Sequence, residues 1–118
     1  MEIKRGDVFL VNFNPARGSE QAGCRPAVVV QNDVGNKYGP TTIVIAVTTT
    51  LKDYPFLVKL SAGEGGLEKD STANAAQVLT VDKLRLVRKL GNLTSEKMRE
   101  INRALAVSLG LTLGETQD

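Results

Sequence analysis

Histidine and tryptophan are absent from this chain, and cysteine occurs once. Without imidazole there is no histidine general acid–base chemistry, no Ser–His or Cys–His nucleophile pair, and no imidazole-ligated metal site. A lone Cys24 cannot close an internal disulfide, which fits a reducing compartment. Arg25 beside it is a cation of the kind that lowers a thiol pKa, but no histidine is present to act as its base. Catalysis therefore falls to Arg, Lys, Asp, Glu, Ser, Thr or Tyr, or to a Mg²⁺ held by oxygens. Asp33, Asp70 and Asp82 form no recognisable ligand spacing, so no metal site and no cofactor are expected.

Long apolar runs are lacking too. Ala27–Val30 and Ile43–Val47 fall far short of the ~20 residues that span a bilayer. Met1–Val11 carries Glu2 and Asp7 in place of an apolar signal segment. The 118 residues, 42% apolar and 24% charged, are expected to form one cytoplasmic domain with no membrane contact and a loose tail over about 111–118. A net charge of +2 is too small to imply nucleic acid by itself. The cations nevertheless cluster: Lys4, Arg5, Arg17 and Arg25 early, and Lys83, Arg85, Arg88 and Lys89 late.

What is present reads mostly as short strands. Asp7–Phe13, Pro26–Gln31, Thr41–Thr50, Pro55–Leu60, Thr72–Val81 and Leu86–Leu90 are rich in β-branched and apolar residues and are bounded by Gly, Pro, Asn and Asp. Asn32–Pro40 has loop composition, Gly63–Lys69 that of a turn, and Val81–Leu84 that of a helical turn. From Thr94, a candidate N-cap with Glu96 in the first turn, Met98, Ile101 and Leu105 recur at helical spacing until Gly110. The expected class is α+β, mainly β: a small half-open barrel of five to seven strands with a C-terminal amphipathic helix. With two Tyr and three Phe the core must be aliphatic and thin, and dimerisation would bury surplus apolar surface.

The chemistry-bearing stretch is Arg17-Gly18-Ser19-Glu20-Gln21-Ala22-Gly23-Cys24-Arg25-Pro26. Glu20 and Arg25 could simply pair at the surface of a pliable hairpin. Arg25, however, precedes Pro26 and a buried strand, where a guanidinium can be aimed reproducibly. Thr48-Thr49-Thr50 ends another strand; such hydroxyls serve turn chemistry, or donate to a phosphate oxygen if an anion docks there.

The same residues carry a family likeness. Lys4-Arg5-Gly6-Asp7-Val8 through Pro15, then Gly18-Ser19-Glu20-Gln21, Gly23, Arg25-Pro26 and Val28–Asp33 resemble the N-terminal half of MazF/PemK-type toxins. Those are endoribonuclease members of bacterial toxin–antitoxin pairs. Thr48, Tyr54-Pro55-Phe56, Asp70-Ser71, Gln77 and the closing helix continue the likeness over about residues 4–109. It implies an SH3-like barrel, a homodimer, and metal-independent, sequence-specific cleavage of single-stranded RNA. It also implies a cognate antitoxin with an acidic disordered tail, and operator DNA binding only as the toxin–antitoxin complex. Arg25 and Thr48 match the family's catalytic positions, and Glu20 and Gln77 positions lining its RNA groove. Ser19, Gln21, Asn32, Thr49 and Ser71 are further candidates for RNA contact. Ala76 and Leu79 depart from the family, which often has an acidic residue and a Lys or Arg there, so no base preference carries over.

The implied reaction is attack of the ribose 2′-hydroxyl on its own phosphate, giving 2′,3′-cyclic phosphate and 5′-hydroxyl ends. Arg25 and Thr48 suit the charge that gathers on the non-bridging oxygens. An Arg is a poor general base, which makes Glu20 the candidate acceptor of the 2′-proton, although the family's mechanisms lean on the Arg as acid or base. A different class stays open: a catalytically weak SH3-like binding module that docks protein or nucleic acid, as some relatives dock a topoisomerase.

Overall fold

The computed structural model describes residues 1–14 and 23–112. Six strands, β1 (Asp7–Asn12), β2 (Cys24–Val29), β3 (Thr41–Thr48), β4 (Leu57–Leu60), β5 (Ser71–Asp82) and β6 (Leu86–Asn92), form one sheet. Its order is β4-β5-β3-β2-β1-β6, and every pairing is antiparallel. The strand count lies within the expected five to seven, and the sheet keeps two edges, as a half-open barrel does. Two helices, α1 (Asp33–Tyr38) and α2 (Ser95–Leu109), complete the fold. No helix among the described residues is long and apolar enough to cross a membrane.

Both faces of the sheet are apolar, because alternate side chains along the central strands point to opposite sides. On one face Val8, Val28, Ile45, Val47, Val58, Leu60 and Ala73 pack with Ile101 and Ala104 of α2. On the other, Phe9, Val11, Ala27, Val29 and Val44 meet Ile3, Val81 and Leu86. This explains the near-continuous apolar runs of β2 and β3, since a strand covered on both faces has no polar side. α2 is held as expected: Thr94 accepts from the Lys97 N–H, and Gly110 ends the helix at φ 71°.

Gly66 and Gly91 let the turn at 64–66 lie directly against β6. A Cβ on Gly66, whose φ is +78°, would collide with the Leu90 carbonyl, and one on Gly91 would lie 2.6 Å from the Gly65 carbonyl carbon.

Two expectations need correction. Asn32–Pro40 is not all loop, because α1 occupies Asp33–Tyr38. Gly, Asn and Pro disfavour helix locally, but tertiary hydrogen bonds outweigh that preference. Asn32 caps the helix by accepting from the Gly35 N–H at 2.8 Å. Asn36, buried, accepts from Thr42 Oγ1 (2.7 Å) and Gln31 Nε2 (3.1 Å), and donates to the Gln31 carbonyl (2.9 Å) and Asp33 (3.1 Å). The Arg5 N–H and the Asn36 amide together hold the Asp33 carboxyl below its ordinary pKa. The helical turn expected at Val81–Leu84 lies at Lys83–Arg85 instead, because the Asp82 carboxylate accepts from the Leu84 N–H and so starts the turn two residues later.

Replacing Asn36 with Ala would strand the buried Thr42 hydroxyl and the Gln31 carbonyl. We expect Asn36→Ala to cost ~2–4 kcal/mol in urea unfolding. A midpoint equal to wild type would show the network to be dispensable.

Candidate functional site

β2 carries Pro26, which has no N–H to give a ladder, and its pairing with β3 runs only over Ala27–Val29. Beyond that point the two strands are free to part. Continuing the register by two residues places Arg25 opposite Thr48. Both side chains lie on the face turned away from α2, in line with Ala27 and Ala46. There they line one cleft of about 250 Å³.

The other walls come from three elements. Thr72 and Asn74 of β5 and Leu57 of β4 share the face with Thr48. Thr50 and Lys52 enter from the segment after β3, and Gln77 from an irregularity in β5. At that irregularity Ile45 pairs with Val78 but Ala46 with Asn74, so residues 75–77 have no opposite number on β3. Such a bulge re-aims side chains. Asn74 Oδ1 accepts from the Ala76 N–H at 2.8 Å and the Ala75 N–H donates to the Phe56 carbonyl at 2.9 Å, which pins the bulge.

The cleft is an anion site by composition. Arg25 and Lys52 are cations, the hydroxyls and amides around them donate, and no carboxylate lines it among the described residues. Thr48 is already oriented: its Oγ1 accepts from the Thr50 N–H at 3.1 Å, which also ends β3 at Thr48 and not Thr50. Its own hydrogen remains to be donated. Among the described residues no group of three or more Cys, Asp or Glu converges in a way that could hold a metal ion.

Of the residues singled out from sequence, Arg25, Thr48 and Gln77 come together here. Thr49 and Ser71 do not; they line a second cleft, of about 300 Å³, with Leu10, Pro26 and Arg88 on the α2 side of the sheet. The Ser71 hydroxyl is spent on the Lys69 carbonyl at 2.8 Å. Asn32 sits at the far end of β2 as the cap of α1. Ser19, Glu20 and Gln21 fall outside the described residues. The described residues on either side of them are tied together: the Phe13 N–H donates to the Gly23 carbonyl at 3.0 Å, and the Arg85 guanidinium bonds the Asn12 and Asn14 carbonyls. Thr50, noted only as part of the Thr48-Thr49-Thr50 run, also lines it, and Lys52, Leu57, Thr72 and Asn74 were missed. Period two along β5 links Thr72 with Asn74, but which face they share is set by pairing alone.

A model of the PemK-like, MazF-like toxins of type II toxin–antitoxin systems matches residues 4–109. The chain belongs to that family. It is 46% identical, over 111 residues and 92% of both chains, to the endoribonuclease MazF of Staphylococcus saprophyticus. Among solved structures, an endoribonuclease from a mycobacterial species superposes with a TM-score of 0.80 at 26% identity, covering 97% of each chain. A MazE–MazF structure from Deinococcus radiodurans gives 0.79 at 27% identity, over 95% of this chain and 99% of that one. The mainly β sheet with its closing helix is thus the family's fold.

If Arg25 anchors an anion here, Arg25→Ala should slow RNA cleavage by ~10²-fold or more with unfolding unchanged, and Thr48→Val should slow it less. Cleavage by either variant at the wild-type rate would remove that residue from the site.

Proposed function

We propose that this toxin cuts single-stranded RNA in the cleft between Arg25 and Thr48, without a metal ion. As a PemK-like, MazF-like toxin it is an endoribonuclease. The observation that carries the cleavage site is the meeting of the Arg25 guanidinium and the free hydrogen of Thr48 on one face, in a cleft with a second cation and no carboxylate among the described residues.

The ribose 2′-oxygen attacks the adjacent phosphorus while its proton passes to a base. The P–O5′ bond breaks and the departing oxygen is protonated. The products are a 2′,3′-cyclic phosphate and a 5′-hydroxyl. Arg25 and Thr48 hold the non-bridging oxygens as their negative charge grows, where preorganised donors are worth most. Glu20 takes the 2′-proton, and Gln77, carried in by the β5 bulge, offers an amide to a neighbouring base. Ser19 and Gln21 are further candidates for contact with the RNA. Asn32, Thr49 and Ser71 are given no part in cleavage, since the sheet stands between the second cleft and Arg25 and Asn32 is at the other end of β2.

The working unit is a homodimer of one domain spanning residues 1–118. Support comes from β5, whose second half pairs with β3 alone among the described residues while β4 covers only Ser71–Asn74. That free edge exposes Val78 and Leu79. A cognate antitoxin is the natural partner. A mycobacterial endoribonuclease with 28% identity to this chain is known in complex with its cognate antitoxin. An acidic tail laid across Arg25 and Lys52 would block RNA by occupying its place, and operator DNA would be bound only by the resulting complex.

Cleavage should persist in excess EDTA and leave cyclic-phosphate and 5′-hydroxyl ends; loss of activity restored by Mg²⁺ would overturn the metal-free mechanism. Glu20→Gln should abolish most of the rate, and a rate equal to wild type passes the base role to another group. Failure of the wild type to cut any transcript in a mixed pool would favour a binding module. In sedimentation at micromolar concentration we expect a dimer, and Leu79→Lys should shift it toward monomer; a wild-type monomer would refute the assembly.

A further inference from the structure

Thr72 is 0% exposed, and its Oγ1 is the one buried side-chain polar atom without a hydrogen-bond partner among the described residues. Buried hydroxyls nearly always find a partner, because leaving one unmade forfeits its hydration with nothing in return. This one is not in a remote corner. Thr72 borders the Arg25 cleft, and it pairs directly across the sheet with Thr48. Facing residues of an antiparallel pair have Cβ atoms about 4.5–5.5 Å apart, so turning a single χ1 brings one hydroxyl to the other.

We propose that Thr72 is a positioning residue for RNA cleavage, its hydroxyl donating to Thr48 Oγ1 when substrate is bound. This rests on the endoribonuclease reading above. A hydroxyl has two acceptor sites and one hydrogen. One acceptor site of Thr48 is filled by the Thr50 N–H. A bond from Thr72 fills the second, leaving the Thr48 hydrogen as its only free direction, aimed into the cleft at a phosphate oxygen. The same bond polarises that hydrogen, since chained hydrogen bonds reinforce one another. In the free protein Thr72 waits unpartnered, so the site carries a local cost that engagement of RNA relieves. Thr72 itself touches no RNA in this scheme; its reach is through Thr48 alone.

The test uses the full chain and an oligoribonucleotide carrying a site that the wild type cuts, with Thr72→Val, Thr72→Ser, Thr48→Val and the Thr48→Val/Thr72→Val double variant. Valine keeps the shape and removes the hydroxyl. Thr72→Val should leave Tm unchanged or raise it, lower kcat by ~10-fold and leave KM within about twofold. Thr72→Ser should retain most of the rate. In the Thr48→Val background the Thr72→Val change should have no further effect on kcat, because the residue it acts through is gone. A wild-type rate for Thr72→Val overturns the role of Thr72 and leaves the endoribonuclease reading intact. So does a loss carried in KM, which would mean direct contact with RNA, or an undiminished loss in the Thr48→Val background. A Tm lowered by several degrees would mean that the hydroxyl is already satisfied in the free protein, and overturns it too. Absence of cutting by the wild type overturns both readings together.

Discussion

A slip of one residue in the pairing of β3 would send Thr48 to the α2 side of the sheet and Val47 to the cleft. The register is protected from that slip by burial on both faces. Val44 must meet one core and Ile45 and Val47 the other, and the small, buried Ala46 sits opposite Ala27. Strand β3 has neighbours on both sides, so the same register sets Arg25 on β2 and Thr72 on β5. The site is the polar end of a pairing enforced by its apolar middle.

Opening that end requires the ladder to stop. Pro26 can donate no hydrogen bond, and the β2–β3 pairing begins only at Ala27. Thr48 stops β3 by turning its hydroxyl to the Thr50 N–H. Two ordinary strand-ending devices thus leave a guanidinium and a hydroxyl on the walls of one cleft of about 250 Å³. At the opposite end of the same strands the Asn36 network holds α1, tying Gln31, Asp33 and Thr42 together.

The strands, the closing helix and its caps were readable in advance, because period two, period 3.6 and the Thr94 and Gly110 signals are local. Helix α1 was not, since what stabilises it comes from Thr42 and Gln31, outside its own span. Nor was the separation of Thr48 from Thr49. Adjacent in the chain and alike in chemistry, they serve clefts on opposite faces of the sheet. Gln77 reaches the Arg25 cleft only because three residues of β5 bulge out of register there, and no composition signal announces the size of a bulge.

Taken by itself, the chain's residue content determined the kind of chemistry available: no imidazole, one thiol, and guanidinium, ammonium and hydroxyl groups suited to an anion. Local spacing determined most of the elements, and the Gly-Ser-Glu-Gln to Arg-Pro block the family. Which of those groups act together was decided by the tertiary structure, because strand register joins residues 23 positions apart, as with Arg25 and Thr48, and parts neighbours. Tertiary structure alone also buried Thr72 against Thr48 with its hydroxyl unmatched, since the burial of a polar group depends on strands that meet only after the sheet has formed.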